Sequence, residues 1–490
     1  MIDQASPADA GAEARDVRLA AVVLAAGKGA RMQSRHPKVL HRVAGRAILW
    51  HVLAALREAG IPAERTAIVV GVGEPAAAVR AAVEAWFGAG RYRFAQQAAP
   101  LGTAHAVLVA QEAVPAGTGT ILVAYGDTPL LQAATISRLL AHHRSSGAVL
   151  TLAAGYLGDP SGYGRLVRDG QGELRAIVEE RDATAEQRAI REVNSGFCVF
   201  DAAWLWQHLP RVPVAPNGER YLTALAGMAV EAGDRVATLV LDDVIEALGV
   251  NTRAALAEAE AILRRRIATQ LMEAGVTLQD PATTYIDAGI VVGPDTIILA
   301  NTHLAGQTIV GSECELGPNT IVRDSVIGDR CRVLASVLDG AKLEAEVTVG
   351  PFAHLRPGTW CGRASHVGTG SEIKASSLGP GSRMGHFGYL GDAMVGASVN
   401  LGAGMVTCNF DGERKHPTRI DDGAFIGSGT MLVAPVHVGA GALTGAGAVV
   451  TRDVEPEAKV VGVPARPIGR RSRPAAAGVA GREERGDPPR

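Results

Sequence analysis

Two stretches of this chain concentrate side chains that can handle phosphate. The first is Leu24-Ala25-Ala26-Gly27-Lys28-Gly29-Ala30-Arg31-Met32, which follows a short aliphatic run and precedes a helical pattern. A glycine-rich turn in that position can aim successive backbone N–H groups at an anion, and its glycines let the backbone come close. Arg31 and, a few residues on, Lys38 in HPKVL add cations suited to a polyphosphate. The turn is not a Walker loop, because the glycine five residues before Gly27 and the Ser or Thr after the lysine are missing. Nor does it complete the G-x-G-x-x-G dinucleotide fingerprint. Asp127, just past the run Ile121–Ala124, stands where a hard divalent cation finds a carboxylate. On these residues alone, a plain structural turn and a turn-forming Asp before Pro129 stay open as alternatives.

The second stretch is Met384-Gly385-His386-Phe387-Gly388-Tyr389-Leu390-Gly391, which sets polar groups into an aliphatic repeat. A histidine on such a surface is more often an ordinary polar residue. Yet Arg356 in HLRPG, Lys374 in SEIK, Tyr389 and Asn400 lie within one or two turns of the repeat. Together they suit a phosphorylated sugar that carries an amine. Histidine is the side chain best able to act as a neutral base near pH 7.

These residues must be held by two kinds of architecture. From Val292 an aliphatic residue returns every sixth position, often followed by Gly: Val292-Gly293, Ile298, Leu304, Val310-Gly311, Leu316-Gly317, Val322, and onward to Val438-Gly439. A second aliphatic recurs at Ile297, Ile309 and Ile321. Six fits neither the helical period nor a long alternating strand, so the pattern predicts a parallel β-helix whose coils stack to share one core. The preceding chain alternates short β-branched runs with helical patterns. Strands are predicted over Ala20–Leu24, Ala67–Val70 and Ile121–Ala124. Helices are predicted with Ile48, Leu49, Val52, Leu53 and Leu56 on one face, and over Pro75–Trp86 and Leu101–Ala113. That rhythm is a mostly parallel sheet covered by helices, with ligands at the carboxyl ends of its strands. Residues 148–250 read as a lobe grafted on the same sheet. Thr252 to about Gly275 reads as a connecting helix with Leu256, Ile262, Leu263, Ile267 and Leu271 inward and Glu258, Arg265 and Arg266 outward. The expected division is a tail over 1–17, an α/β domain over 18–253, a linker helix over 254–274, the β-helix over 275–469 and a tail over 470–490.

A net charge of −2 gives no reason to expect nucleic acid or an acidic membrane as partner. The five cysteines (Cys198, Cys314, Cys331, Cys361, Cys408) are scattered, with no spacing for a disulfide framework or a zinc site, which suits a reducing cytoplasm. The N-terminus has no signal-peptide pattern, and the run Leu19 to Ala26 is too short to span a bilayer. The reading is a cytoplasmic protein with no membrane segment.

LAAGKGARM together with PKVL resembles the nucleotide-sugar pyrophosphorylase family. Further motifs follow in that family's order: Gln97, Leu101-Gly102-Thr103, Tyr125-Gly126-Asp127, Gly162-Tyr163-Gly164-Arg165, Ile177-Val178-Glu179, Asn194-Ser195-Gly196 and Gly249-Val250-Asn251. With the hexad repeat added, residues from about 18 to 468 resemble the bifunctional N-acetylglucosamine-1-phosphate uridyltransferase and glucosamine-1-phosphate N-acetyltransferase family. The resemblance implies a Rossmann-like α/β nucleotidyltransferase domain, a linker helix and a left-handed parallel β-helix of hexapeptide repeats. It implies that Leu24, Ala25, Ala26, Gly27, Gln97, Gly102 and Thr103, with Tyr125 and Gly126 beside them, take the uridine nucleotide. Arg31 and Lys38 would neutralise phosphates, Gly164, Glu179 and Asn194 would hold N-acetylglucosamine 1-phosphate, and Asp127 and Asn251 would ligate Mg²⁺.

For the repeats, the resemblance implies acetyl transfer from acetyl-CoA to glucosamine 1-phosphate, with His386 as general base. Arg356 and Lys374 would grip the phosphate, Tyr389 and Asn400 the sugar, and Ala403, Asn409, Phe410, Ser428, Ala446 and Val463 the acetyl-CoA. The stretch CNFDGERKHPT interrupts the hexads and should project as a loop towards a neighbouring subunit of a homotrimer. The product of both steps would be UDP-N-acetylglucosamine for cell-envelope polymers, made from UTP. Four residues depart from the family pattern: Ala30 for Thr, Ala224 for Asp, Phe410 for Tyr, and Val463 where a relative carries a basic residue, a charge that Arg466 or Arg470 could replace. Two rivals remain: a single-activity pyrophosphorylase whose β-helix is structural or regulatory, and a trimerisation scaffold with a degenerate sugar-binding head. A purely structural β-helix has no need of Arg356, Lys374, His386, Tyr389 and Asn400 together. A scaffold has no need of Arg31, Lys38, Asp127 and Asn251.

Overall fold

β1 (Leu19–Leu24) reads LAAVVL, and only its last residue escapes full burial. Its alternate residues feed two separate cores, Ala20 and Val22 one, Ala21 and Val23 the other. A strand buried on both faces needs cover on both, and that need shapes the first part of the chain. The structure is a computed structural model and describes residues 18–27 and 29–471. The tail expected over 1–17, and the other from residue 472 on, lie outside the described residues. The chain divides into two units between Leu263 and Arg264.

In the first unit, β1 is followed by the small hairpin β2 (Arg42–Val43) and β3 (Arg46–Ala47), then α1 (Ile48–Glu58), β4 (Thr66–Val70), α2 (Glu74–Phe87) and β5 (Arg93–Gln96). Next come α3 (Thr103–Val109), β6 (Thr120–Tyr125), α4 (Ala133–Ser146), β7 (Leu150–Tyr156), β8 (Arg165–Arg168) and β9 (Leu174–Val178). The unit closes with α5 (Ala185–Arg188), β10 (Glu192–Asp201), α6 (Ala202–His208), α7 (Ala224–Glu231), β11 (Val236–Val240) and the start of α8 (Arg253–Glu273). The main sheet has the order β11-β7-β10-β6-β1-β4-β5, and β10 alone runs antiparallel. β1 pairs in parallel with β6 on one side and β4 on the other, so its carboxyl end opens at a switch in strand order. The β8–β9 hairpin branches from β10 and is the lobe expected over 148–250.

One helix is shorter than predicted. The pattern over Leu101–Ala113 folds as α3 plus a separate 3-10 turn at Gln111–Ala113. Leu101 cannot open a helix because its carbonyl accepts from Arg220 N at 2.8 Å, and Ala104 N donates back to Arg220 O at 2.9 Å. Gly102, at φ 100, makes that approach possible, since any side chain there would run into the Arg220 backbone.

The second unit is a parallel β-helix. Its short strands stack into three sheets of 12, 10 and 9 strands, called faces one, two and three in chain order. A typical strand is two residues long, the first outward and the second inward. Ile298, Leu304, Val310, Leu316 and Val322 are all in the continuous core, whereas Ile297, Ile309 and Ile321 point out and are exposed. Corners are turned by residues at positive φ, including Asp295, Asn301 and Asn319, types that tolerate the left-handed region. Coils repeat at 16 to 18 residues until Asn400 pairs with Phe425, where the chain makes an excursion. The exposed loop there, closed by a Phe410–Lys415 bridge, is the predicted projection.

α8 gives its first half to one unit and its second half to the other. Buried on it are Ala259, Leu263 and Ala268, while Leu256, Ile262, Ile267 and Leu271 are half-buried. Arg266, expected outward, is also half-buried. At the far end the last strand, Arg466–Arg470, runs antiparallel to Ala458–Val461, and Arg471 N donates to Glu457 O at 2.9 Å. Arg470 and Arg471, expected in the tail over 470–490, are thus paired with the last coil. Among the described residues no helix is long and apolar enough to cross a membrane.

Candidate active sites

The first site is a cleft of ≈ 400 Å³ at the carboxyl ends of β1 and β6. It is lined by Leu24, Ala25, Ala26 and Gly27 from the turn after β1, by Gln97, Gly102 and Thr103, and by Lys38, Tyr125, Asp127 and Glu179. A second cavity, ≈ 360 Å³, opens on the other side of the Ala25–Gly27 turn over Val70, Pro75 and Val79. Gly126 N donates to Leu24 O at 2.9 Å, so the turns after β1 and β6 are fixed to each other. Gln97 donates to Gly102 O at 3.0 Å, and Thr103 Oγ1 accepts from Leu222 N at 2.9 Å. Arg31 is exposed on the 3-10 turn Ala30–Met32, outside the cleft lining.

Lys38 is almost fully buried and forms an ion pair with Asp127, while its Nζ donates to Asn251 Oδ1 at 2.8 Å. Val250 N donates to Asp127 O at 2.9 Å, which brings the loop carrying Asn251 against the end of β6. Among the described residues no cluster of three or more His, Cys, Asp or Glu could hold a metal ion by itself. A carboxylate and an amide oxygen converging on one cation nevertheless fit Mg²⁺, which keeps most of its ligands as water and phosphate. The Lys38 ammonium stands in for that charge here.

The sugar-binding candidates meet beside this cation seat. Asn194 N donates to Gly164 O at 2.8 Å, and a Cβ on Gly164 would lie 3.6 Å from the Glu179 carboxylate. β10 bulges between Asn194 and Cys198, which re-aims Asn194. Gly196, at φ 87 within that bulge, packs so tightly on Tyr125 that a Cβ would lie 2.9 Å from its ring. Burial pushes the Glu179 carboxyl above its ordinary value, and Thr223 Oγ1, which donates to it at 2.7 Å, offsets part of that rise. Burial likewise pushes the Tyr125 hydroxyl up.

Several residues of this site were not anticipated. Thr223, Glu219 and Tyr221 reach the cleft or its carboxylate from the segment before α7. Arg165, fully buried, donates to Tyr163 O and pairs with Glu180 at 2.6 Å, fixing the turn that presents Gly164. Only its place in the GYGR motif could have marked it.

In the β-helix the predicted residues fall on two different corners. Met384, Leu401, Ile426 and Thr444 are in register on face one. Two residues after each come His386, Ala403, Ser428 and Ala446, which therefore form one column along the corner between faces one and two. Gly429 N donates to Ala403 O at 2.7 Å, and Gly447 N to Ser428 O at 2.8 Å, which holds the column together. At parallel-strand spacing its three steps span roughly 14 Å. Beyond the exposed histidine the column carries only small side chains, and exposed Val463 follows the next strand of face one. Asn400 stacks on Arg383 on face one beside the histidine corner, whereas Tyr389 stacks on Glu372 on face two and lays its ring over Gly391, the partner of Lys374.

Arg356 and Lys374 occupy the other corner of face two. Lys374 pairs with Gly391, and Arg356 N donates to Ile373 O at 2.8 Å, which stacks the two cations on successive coils. Arg356 is balanced by Glu372 at 2.8 Å. Lys415, from the projecting loop, meets Lys374 and holds its ammonium below its ordinary value. Asn409 donates to Asp392 at 2.5 Å on the same corner, and Phe410 is exposed beside Lys415. The two corners lie about five residues, or ~16 Å, apart along face two. One chain thus does not close all of these residues around a single point. Lys415 is a further residue that repeat reading missed, since it sits in the interruption.

An α/β nucleotide-binding unit followed by a β-helix with its own cation cluster defines a two-domain nucleotidyltransferase of the hexapeptide-repeat type. The family profile of the MobA-like NTP transferase domain matches residues 21–194. The chain is 47% identical to the bifunctional protein GlmU of Heliobacterium modesticaldum over 435 residues, 89% of this chain and 93% of that one. It is 46% identical to the GlmU of Pelobacter propionicus over 439 residues, covering 89% and 94%. With the GlmU of Anaeromyxobacter sp. it shares 47% over 422 residues, covering 86% and 85%. The chain belongs to the GlmU family of bifunctional proteins.

Proposed function

We infer that this chain makes UDP-N-acetylglucosamine in two steps on two units. Residues 275–469 acetylate glucosamine 1-phosphate, and residues 18–253 then transfer uridylyl from UTP to the product, with 254–274 as the connecting helix. The observation that carries the two-step reading is the column of His386, Ala403, Ser428 and Ala446, which a purely structural β-helix does not need.

In the acetyl transfer, the sugar amine attacks the thioester carbonyl, His386 takes the amine proton and the CoA thiolate leaves. The column of small residues suits the extended arm of CoA, with Val463 beyond its end. Arg356, Lys374 and Lys415 would bind the sugar phosphate, Tyr389 and Asn400 the ring, and Asn409 and Phe410 the rest of the acetyl donor. Because these sets occupy separate corners, a histidine corner on one copy facing a cation corner on another completes the site, which supports a homotrimer. A reducing cytoplasm suits its five unpaired cysteines.

In the uridylyl transfer, the sugar phosphate is already an anionic nucleophile, so positioning and charge are what the protein must supply. Gly164, Glu179 and Asn194 orient the sugar. The turn from Leu24 to Gly27 with Gln97, Gly102 and Thr103 holds the nucleotide. Lys38 in the cleft offsets charge that builds on the leaving pyrophosphate, and Arg31, exposed outside the cleft lining, would join it only by turning its side chain inward. Asp127 and Asn251 would hold Mg²⁺, which would supply positive charge to the phosphates. The reading is tested by following thiol release and pyrophosphate release separately on the purified chain. Both are expected, and pyrophosphate release without thiol release would reduce the β-helix to a scaffold.

A further inference from the structure

The Lys38 ammonium lies between the two oxygens expected to hold a divalent ion, paired with Asp127 and 2.8 Å from Asn251 Oδ1. Lys38 is 8% exposed, so this is no loose surface pair. The two side chains are brought to it across 89 and 213 residues of sequence. Leaving a part-buried carboxylate without a partner is costly, and in the free protein Lys38 removes that cost. The same ammonium fills the space where a divalent ion would take both oxygens. We propose that Lys38 is a displaceable counter-cation of the Asp127–Asn251 seat, which a divalent ion must evict.

The proposal rests on the reading of Asp127 and Asn251 as the metal ligands, and it adds a competitor to that site. The stem of Lys38 supports the eviction. A Cβ on Gly29 would lie 2.7 Å from Lys38 Cβ, so the turn that would cradle the triphosphate rests on this lysine. A flexible four-carbon arm rooted there can exchange a carboxylate for a phosphate without moving its backbone. Lys38 therefore opposes the metal when the cleft is empty and favours the nucleotide when it is filled. The free protein binds divalent ions weakly, and metal and nucleotide enter together.

The test is titration of the full chain with Mn²⁺ alone, read by the electron-spin signal of free Mn²⁺, and with Mg–UTP, read by calorimetry. K38M is expected to bind Mn²⁺ about tenfold more tightly than wild type yet to bind Mg–UTP about tenfold more weakly. K38R, which keeps the charge, is expected to stay near wild type for Mn²⁺. Should K38M fail to fold, K38Q carries the same comparison. Mn²⁺ affinity in K38M or K38Q equal to or below that of wild type would overturn the displacement. The D127N variant separates the two layers. If D127N loses Mn²⁺ while K38M matches wild type, only the displacement fails. If D127N binds Mn²⁺ as tightly as wild type, the ion sits elsewhere, and the ligand assignment fails with it.

Discussion

Thr223 Oγ1 donates to Glu179 at 2.7 Å, joining the residue after β9 to the residue before α7 at the cleft. The hydroxyl stabilises a carboxylate whose burial raises its pKa. An acid with a raised folded pKa favours the fold most below its unfolded value, ~4.3, and loses that contribution as pH rises through the folded value. E179Q removes the titration. Relative to E179Q, wild type should therefore lose stability as pH rises above about 4. Differential scanning calorimetry across that range checks the sign. A relative gain for wild type with rising pH would refute it. The same variant should raise the KM for N-acetylglucosamine 1-phosphate.

Lys415 meets Lys374 beside Arg356, and the nearby Asp392 offsets only part of the effect of Lys415 on the Lys374 ammonium, an arrangement that suits an anion. Losing one charge-assisted contact typically costs ~1.5–3 kcal/mol. K415A should accordingly raise the KM for glucosamine 1-phosphate roughly tenfold or more, and leave pyrophosphate release from UTP unchanged. Steady-state kinetics with each substrate varied checks this. An unchanged KM would remove Lys415 from the site.

The column of Ala403, Ser428 and Ala446 can be made bulky without touching His386. A446W should raise the KM for acetyl-CoA while uridylyl transfer continues at the wild-type rate. Equal KM values in A446W and wild type would place the acetyl donor elsewhere. R466A asks whether the exposed Arg466 supplies the charge missing at Val463, and its expected effect is a higher KM for acetyl-CoA.

The β-helix core should respond as a stack of coils. Leu338 is fully buried in the middle of the column of inward residues. L338A should cost ~2–5 kcal/mol in the unfolding of the second unit, because neighbouring coils cannot collapse onto the cavity. Denaturant titration monitored with the uridylyl activity as a second probe would locate the loss. Early loss of uridylyl transfer would contradict an independent first unit.

The hexads made the β-helix legible because a period of six admits no other regular backbone, and Ala20–Leu24 with Ile121–Ala124 made the parallel sheet legible by their buried, β-branched runs. The same repeat arithmetic separates the two corners. Arg356 and Lys374 are one coil apart, whereas His386 lies two faces beyond Lys374, so a single cleft in one chain was never available. The register from Ala403 to Ser428 was obscured by the inserted loop, which is also why Lys415 went unseen. Thr223 and the meeting of Lys38 with Asn251 depend on contacts between distant segments, for which no local pattern exists. The overlong helix at Leu101 failed for a similar reason, since Arg220 claims its carbonyl.

Two independent chemistries on one chain are tested most directly by H386A. Thiol release from acetyl-CoA with glucosamine 1-phosphate is followed beside pyrophosphate release from UTP with N-acetylglucosamine 1-phosphate and Mg²⁺. Loss of thiol release with pyrophosphate release intact is the expected result. Thiol release that survives in H386A, or pyrophosphate release that disappears with it, would contradict the assignment of two separate sites with His386 as the base of one.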